Sequence, residues 1–159
     1  MRNGLFIAGT NTGVGKTLVT AGIMRHLRMQ GLDVVSMKPV QTGGIHGIDG
    51  LTAPDLDFHL VSSGLSVAPE ERVLMSPYVY EPACSPHLAG RLAGHYVNLD
   101  HCQACGDQLA DAHQGVLIEG AGGLMVPLNE EETQLGLIIQ FGAPVLLVAH
   151  IGLGTISHC

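Results

Sequence analysis

The segment GTNTGVGKT at residues 9–17 constrains the fold of this chain more than any other feature of the sequence. The apolar run LFIA at 5–8 precedes it, and the amphipathic run TLVTAGIMRHLRMQG leads away from it. A glycine-rich turn between a strand and a helix directs backbone N–H groups and the positive end of the helix dipole at one point, where phosphate binds. The pattern therefore predicts a strand at 5–9, a phosphate-binding turn and a helix at 16–30.

The turn supplies the parts that phosphate binding needs. Gly13 and Gly15 allow the backbone to curl around phosphate oxygens, Lys16 can reach the outer phosphates, and the Thr17 hydroxyl can hold Mg²⁺. The strict pattern G-x-x-x-x-G-K-[ST] places a glycine at position 10, where this chain has Thr10, so the match is to a variant loop. An ordinary tight turn with a surface lysine is the alternative.

Other apolar runs predict further strands. Runs of strand length and helical patterns alternate along the chain, the strands at 33–40, 115–120 and 143–150 and the helices at about 85–94, 99–113 and 131–141. Strands that are apolar at every position are typical of a parallel sheet buried on both faces. We therefore predict a single α/β domain over 1–159, P-loop NTPase-like, with a mostly parallel sheet and helices on both faces.

The segment 41–83 is rich in glycine, proline and serine and shows little periodicity. It predicts a surface loop with one short helix near 55–63. No repeat or low-complexity stretch divides the chain.

Ligands of parallel α/β sheets bind at the carboxyl ends of the strands. The turns at 10–17, 38–44 and 119–127 would therefore face one crevice. The chain has only two lysines, Lys16 and Lys38, and both stand beside such turns. Together they would neutralise the charge of a transferring phosphoryl group, although Lys38 could also be a surface charge.

Carboxylates at the same edge suggest a metal site. Mg²⁺ prefers hard oxygen ligands and usually takes one or two carboxylates. Glu119 ends an apolar strand, and Asp55 or Asp57 could complete the set. A merely solvated role is the alternative for each of these acids.

The cysteines follow no disulfide pattern, which predicts reduced thiols. Cys102 and Cys105 are spaced i, i+3, as on one face of a helix, so we expect them to pack in the core. A metal site with the neighbouring His101 and His113 is the alternative. The other histidines form no cluster that the sequence interprets.

The formal net charge is −7, and no basic cluster occurs. Nucleic-acid binding lacks its electrostatic basis here, and the apolar runs are too short to span a membrane. Residues 1–3 lead into a strand-length segment instead of a signal-peptide core. We expect a cytoplasmic protein with a small-molecule partner.

Five motifs occur in order along the chain: GTNTGVGKT, MKPVQTG, ACSPHLA, IEGAGGLMVPL and PVLLVAHIGLGTISH. Together they resemble the dethiobiotin synthetase family over all 159 residues. The resemblance implies a cytoplasmic homodimer of the P-loop class that makes dethiobiotin from 7,8-diaminononanoate, CO₂ and MgATP. The diamine is carboxylated to a carbamate, ATP phosphorylates the carbamate, and the second amine expels phosphate to close the ureido ring.

The resemblance also implies residue roles. The phosphate cradle would consist of Thr12, Gly13, Val14, Gly15, Lys16 and Thr17. The Mg²⁺ ligands would be Thr17, Asp55 and Glu119. The catalytic residues would be Lys16, Lys38 and Thr12, and the carbamate would contact Lys38 and Thr42.

The chain departs from the family pattern in three places. Asn11 stands where the family usually has aspartate, and Ser157 stands where it has an asparagine that helps bind substrate. Relatives continue beyond Cys159 through further strands that complete the nucleobase pocket. We therefore expect a C-terminally incomplete domain that exposes an apolar edge or face after 143–150 and chooses poorly between ATP and GTP.

Two alternatives belong to other classes. The first is a nucleotide-dependent dimerisation switch of the partition and septum-positioning type, whose signature lysine would stand at Asn11. The second is a nucleotide-binding fragment without remaining activity. We also expect Lys16 to be an exposed lysine, so that its replacement changes the stability of the nucleotide-free chain by under about 0.5 kcal/mol.

Overall fold

Short apolar runs form the main strands, and prolines or glycines bound most of the helices. The computed structural model describes residues 1, 3–48 and 50–158. In chain order the elements are β1 (Gly4–Gly9), α1 (Lys16–Met29), β2 (Val34–Met37), β3 (Val40–Thr42), β4 (Ile45–Gly47), β5 (Gly50–Thr52), α2 (Pro54–Ser63), α3 (Pro69–Met75), β6 (Tyr78–Tyr80), α4 (Pro86–Ala93), α5 (Leu99–Ala112), β7 (Gly115–Glu119), α6 (Gln134–Phe141), β8 (Val145–Val148) and α7 (Thr155–His158).

Four strands form a parallel sheet in the order β2, β7, β1, β8. Gly4 lies opposite Val116, and Val34 lies opposite Gly115, so β1 and β2 both flank β7 in register. This order brings the carboxyl ends of β1, β2 and β7 to one edge, and the turns that follow these strands meet there.

Strands β1, β2 and β7 are buried on both faces. Phe6 and Ile7 are neighbours on β1 and so point to opposite faces, yet neither is exposed to solvent. Helix α1 packs against these strands together with α2, while α5 packs against β7 together with α3 and α6. The predicted α/β fold, with a mostly parallel sheet and helices on both faces, is confirmed.

Strand β8 differs from β1, β2 and β7. Its neighbour in the sheet is β1, and Val145, Leu146 and Leu147 are 50%, 36% and 39% exposed. The expectation that every apolar run is buried on both faces is therefore wrong at β8. The expectation of an exposed apolar face after 143–150 is confirmed.

The single strand predicted at 33–40 is two strands. β2 ends at Met37, the Lys38 N–H donates to the Met75 carbonyl at 2.7 Å, and Pro39 has no N–H to continue the ladder. The chain then enters β3, which pairs in parallel with β6.

The prediction of surface loop over 41–83 is also wrong outside the short helix, which is α2. The segment holds β3 and β6, the antiparallel pair β4 and β5, and α3. Buried side chains within it include Met75 and Tyr80, so it forms part of the core.

Cys102 and Cys105 are buried on α5, and the predicted packing role is confirmed. Burial raises the pKa of the Cys102 thiol to about 12, with a further contribution from Cys105, so it remains protonated. Cys84 is also a free thiol, as expected, and Cys159 lies outside the described residues. In the part of the chain that the structure describes, no group of three or more His, Cys, Asp or Glu side chains is arranged to hold a metal ion.

Within 1, 3–48 and 50–158, no helix has the length and apolar character needed to cross a bilayer.

Candidate phosphate and phosphoryl-transfer site

The carboxyl ends of β1, β2 and β7 open into a cleft of about 940 Å³. The three predicted turns supply most of its wall, and the start of α2 and the residues before α4 supply the rest. The lining residues predicted from the sequence are Thr12, Gly13, Gly15, Lys16, Thr17, Lys38, Thr42, Asp55 and Glu119. The structure thus brings nearly the whole predicted set together in one place.

The phosphate turn requires glycine at two positions. Gly13 and Gly15 have φ angles of 77° and 103°, which L side chains rarely adopt. Helix α1 begins after Gly15 with no side-chain cap from the described residues, and its first residues line the cleft. An uncapped helix N-terminus of this kind is a ready anion site.

Val14 and Asn11 of the turn are not among the residues that line the cleft. Val14 lines a neighbouring cavity of about 430 Å³ instead. Asn11 accepts a hydrogen bond from the Thr12 N–H through its Oδ1 at 2.7 Å. The amide thus organises the turn without adding charge.

Lys16 is only 6% exposed, so the expectation of an exposed lysine is wrong. Its Nζ donates to the Asn11 carbonyl at 2.9 Å and to the Gly122 carbonyl at 2.8 Å. Burial lowers the pKa of Lys16, and the nearby charge of Lys38 lowers it further. The ammonium therefore ties the phosphate turn to the loop after β7 through neutral acceptors.

Lys38 lies between two carboxylates. Its Nζ is 2.7 Å from Asp55 Oδ2 and 2.7 Å from Glu119 Oε1. Burial alone would lower the pKa of Lys38, but the charges of Glu119 and Asp55 outweigh burial and raise it. Lys38 is a buried cation with matched anions, and the alternative of a surface charge is wrong.

Glu119 ends β7 and is almost fully buried, so a merely solvated role is wrong for it. Its Oε1 accepts hydrogen bonds from the Thr17 hydroxyl at 3.0 Å and from Lys38, while Oε2 is 2.8 Å from His59 Nε2. Burial would raise the pKa of Glu119, but Lys38 and His59 hold it at about 2. The carboxylate is therefore ionised at neutral pH.

The two aspartates at the start of α2 point to different partners. Asp55 lines the cleft and pairs with Lys38, whereas Asp57 pairs with Arg72 on α3. Two residues along a helix lie on different sides of it, so both could not have faced the cleft. The geometry selects Asp55 as the carboxylate beside Glu119.

The oxygens of Thr17, Asp55 and Glu119 form a donor set that suits Mg²⁺. One hydroxyl and two carboxylates are hard ligands, and Mg²⁺ usually binds few protein groups and completes its shell with water and phosphate oxygens. A positive group, the Lys38 ammonium, already lies in contact with both carboxylates. Mg²⁺ bound at these oxygens would therefore share both carboxylates with Lys38.

Sequence reasoning missed several parts of the cleft. Cys84, Ser85 and Pro86 line it just before α4, and Leu18 and Phe58 add apolar surface. The first three belong to the motif ACSPHLA, which had no assigned role. His59 was missed as well, although it follows Asp55 by four residues and thus shares its helix face.

The glycine-rich turn and the parallel sheet agree with a family comparison. The chain matches the model of a family described as "AAA domain" over residues 3–159. The protein is therefore a P-loop nucleotide-binding domain.

Relatives narrow the assignment within this class. The chain is 42% identical over 155 residues to the ATP-dependent dethiobiotin synthetase BioD of Anaeromyxobacter sp. (strain K), covering 98% of this chain and 66% of the relative. It is 40% identical over 154 residues to the ATP-dependent dethiobiotin synthetase BioD 2 of Pasteurella multocida (strain Pm70), covering 96% of this chain and 70% of the relative. The chain belongs to the dethiobiotin synthetase family, and it spans about two thirds of the length of these relatives.

Proposed function

We propose that this chain acts as an ATP- and Mg²⁺-dependent dethiobiotin synthetase, a carbon–nitrogen cyclo-ligase of biotin biosynthesis. The reaction would join 7,8-diaminononanoate and CO₂ and close the ureido ring at the expense of ATP. The observation that carries the proposal is the convergence of Lys16, Lys38 and Glu119 in one cleft beside an uncapped helix N-terminus.

The proposed reaction has three steps. One amine of the diamine attacks CO₂ and loses a proton, which gives a carbamate. A carbamate oxygen then attacks the γ-phosphorus of ATP, and ADP leaves. Finally the second amine attacks the carbamate carbon and releases phosphate. The phosphoryl group moves between substrate oxygens, so the protein needs to supply position and charge and no covalent nucleophile.

The two lysines would divide the charge between them. Lys16 Nζ donates to two backbone carbonyls, which it can exchange for β- and γ-phosphate oxygens with a gain in electrostatic energy. Lys38 lies further along the cleft, where it would stabilise the carbamate and the phosphate leaving from it.

Threonine hydroxyls would orient the reactants. Thr42 ends β3 and lines the cleft on the Lys38 side, where its hydroxyl could hydrogen-bond the carbamate. Thr12 lines the cleft at the start of the phosphate turn and would contact the transferring group. Thr17, Asp55 and Glu119 would hold Mg²⁺, which when bound neutralises phosphate charge.

We also propose a homodimer in the cytoplasm. Helices α1 and α2 pack against each other, and together they expose the large apolar side chains of Leu18, Phe58 and Val61. Exposed apolar surface of this kind is typical of protein–protein contacts. Ser157, a further departure from the family pattern, has its side chain outside the described residues.

ATP turnover with and without the other substrates tests the proposed function. We expect ADP and dethiobiotin to form together only when both bicarbonate and 7,8-diaminononanoate are present. A nonanoate with a single amine is the matched control, because it can form a carbamate but cannot close the ring. ATP hydrolysis independent of the diamine would favour the dimerisation switch, and absence of nucleotide binding would contradict the P-loop role itself.

A further inference from the structure

His59 is fully buried between two strands of the sheet. From α2, its Nδ1 lies 3.1 Å from the Ser36 hydroxyl on β2, and its Nε2 lies 2.8 Å from Glu119 Oε2 at the end of β7. The ring therefore connects β2 to the carboxylate beside Lys38. It does not itself line the cleft.

The donors in this chain of contacts follow from chemistry. Glu119 is an ionised carboxylate with only acceptor oxygens, so His59 Nε2 must carry the proton of that hydrogen bond. When the ring is neutral, Nδ1 is then an acceptor, and the Ser36 hydroxyl can donate to it. This contact with Ser36 would favour the tautomer that Glu119 requires.

A serine, a histidine and a carboxylate in line resemble a hydrolase triad, but the burial excludes that role. Ser36 has no exposed surface, and His59 of α2 packs against it on β2, so no substrate carbonyl can approach its hydroxyl. The hydrogen bonds instead lead from Ser36 through His59 to Glu119 Oε2, and Glu119 Oε1 accepts from Lys38 and Thr17.

We propose that His59 is a positioning residue for the metal-binding carboxylate Glu119. By occupying Oε2, His59 fixes the rotation of the carboxylate and leaves Oε1 directed at the cleft. This inference rests on the proposed function, because it assigns Glu119 to the Mg²⁺ site. Hydrogen-bonded partners of metal ligands commonly change metal affinity 10- to 100-fold when they are removed.

Two amide substitutions separate this role from simple core filling. In His59→Gln the side-chain amide nitrogen lies as many bonds from Cα as Nε2, so it can still donate to Glu119. In His59→Asn the amide reaches only the Nδ1 position, so the Ser36 contact can remain but the Glu119 contact is lost. Both variants place an amide in the same buried site.

Mn²⁺ binding in the presence of ADP, followed by electron paramagnetic resonance, is the measurement. We expect His59→Asn to weaken Mn²⁺ binding about 10- to 100-fold and His59→Gln to stay within about threefold of wild type. ADP binding without metal should change little in either variant. His113→Asn is the matched control, since His113 also contacts side chains through both ring nitrogens but lies at the opposite end of the sheet, with Asp33 and Glu71.

The outcomes separate the two proposals. Equal Mn²⁺ affinity in wild type and folded His59→Asn would overturn the positioning role and leave the metal site intact. Absence of Mn²⁺ binding by wild type would overturn the metal site and the positioning role together. Nitrogen-15 NMR of the wild-type ring gives a test without any variant, because a His59 Nε2 that carries no proton would also overturn the inference.

Discussion

The two lysine regions of the cleft contain the same side chain in opposite environments. In the first region, at the phosphate turn, Lys16 Nζ donates to two neutral backbone carbonyls. In the second, at the end of β2, Lys38 Nζ contacts two carboxylates. Burial acts on both ammonium groups, yet it lowers the pKa of Lys16, whereas the carboxylates raise the pKa of Lys38.

The difference shows that the hydrogen-bonding partners of a buried ammonium group determine whether it is suited to bind an anion or to stay fixed and charged. A carbonyl compensates only part of the lost hydration of an ammonium group, so Lys16 gains when an anion arrives. Lys38 is already compensated, and its carboxylates keep it charged and fixed in position. The first region is therefore suited to binding phosphate, and the second is suited to stabilising charge during the reaction.

Replacing Lys38 should produce the largest effect. We expect Lys38→Met to lower the rate of dethiobiotin formation by about 10²- to 10³-fold, as for the loss of one charge-stabilising donor. The response of the melting temperature to nucleotide should remain, because the phosphate turn is separate. Arg72→Met is the control, since it removes the partner of Asp57 outside the cleft. A variant that forms dethiobiotin at the wild-type rate would contradict the role of Lys38.

Acid should remove the contribution that ionised Glu119, in the second region, makes to the free energy of unfolding. The pKa of Glu119 is about 2 in the folded chain against a usual value of 4.5. The resulting stabilisation is complete above about pH 4.5 and is lost as the pH falls towards 2. Across this window, urea unfolding should show a decrease about 3 kcal/mol larger for wild type than for Glu119→Gln.

Glu71→Gln is the control for the acid experiment. Glu71 contacts His113 in a partly exposed pair, which should contribute no more than about 1 kcal/mol. Parallel pH dependence of wild type and Glu119→Gln would show that the lysine and histidine contacts do not stabilise the ionised carboxylate.

Replacing Lys16 should remove most of the stabilisation that nucleotide binding gives to the folded state. A ligand at 100 times its Kd stabilises the folded state by about 2.7 kcal/mol, and we expect Lys16→Ala to lose most of this increment in a thermal-shift titration with MgATP. The apo variant should also lose about 1–2 kcal/mol, because two carbonyls lose a charged donor. Arg25→Ala on the same helix tests the specificity, and an unchanged nucleotide response in Lys16→Ala would contradict the phosphate assignment.

Local signals predicted the elements that carry the site. The helix expected at 16–30 is Lys16–Met29, and the strand expected at 115–120 is Gly115–Glu119. Both follow long apolar or periodic runs with glycine at a boundary, which specify structure through nearest neighbours. The three-residue strands β3 and β6 give no such signal. Each is stabilised by a partner almost forty positions away, so 41–83 was misread as loop.

The sequence could not separate Asp55 from Asp57 or predict the burial of Lys16, because both depend on contacts between distant segments. Nothing in the local sequence separates Asp55 from Asp57, and only the packing of α2 places one beside Lys38 and the other beside Arg72. The burial of Lys16 likewise depends on the Gly122 carbonyl, more than a hundred residues away.

The sequence by itself determined the phosphate turn, the α/β class and the family of this protein. Glycine conformations, strand-length apolar runs and the order of motifs are local properties of a chain, so they can be read without coordinates. Only the tertiary structure decided which carboxylate joins Lys38, that Lys16 is buried, and that His59 reaches Glu119 from another element. These features depend on how segments far apart in the chain pack, and packing sets burial, hydrogen-bond partners and hence the charge of each group.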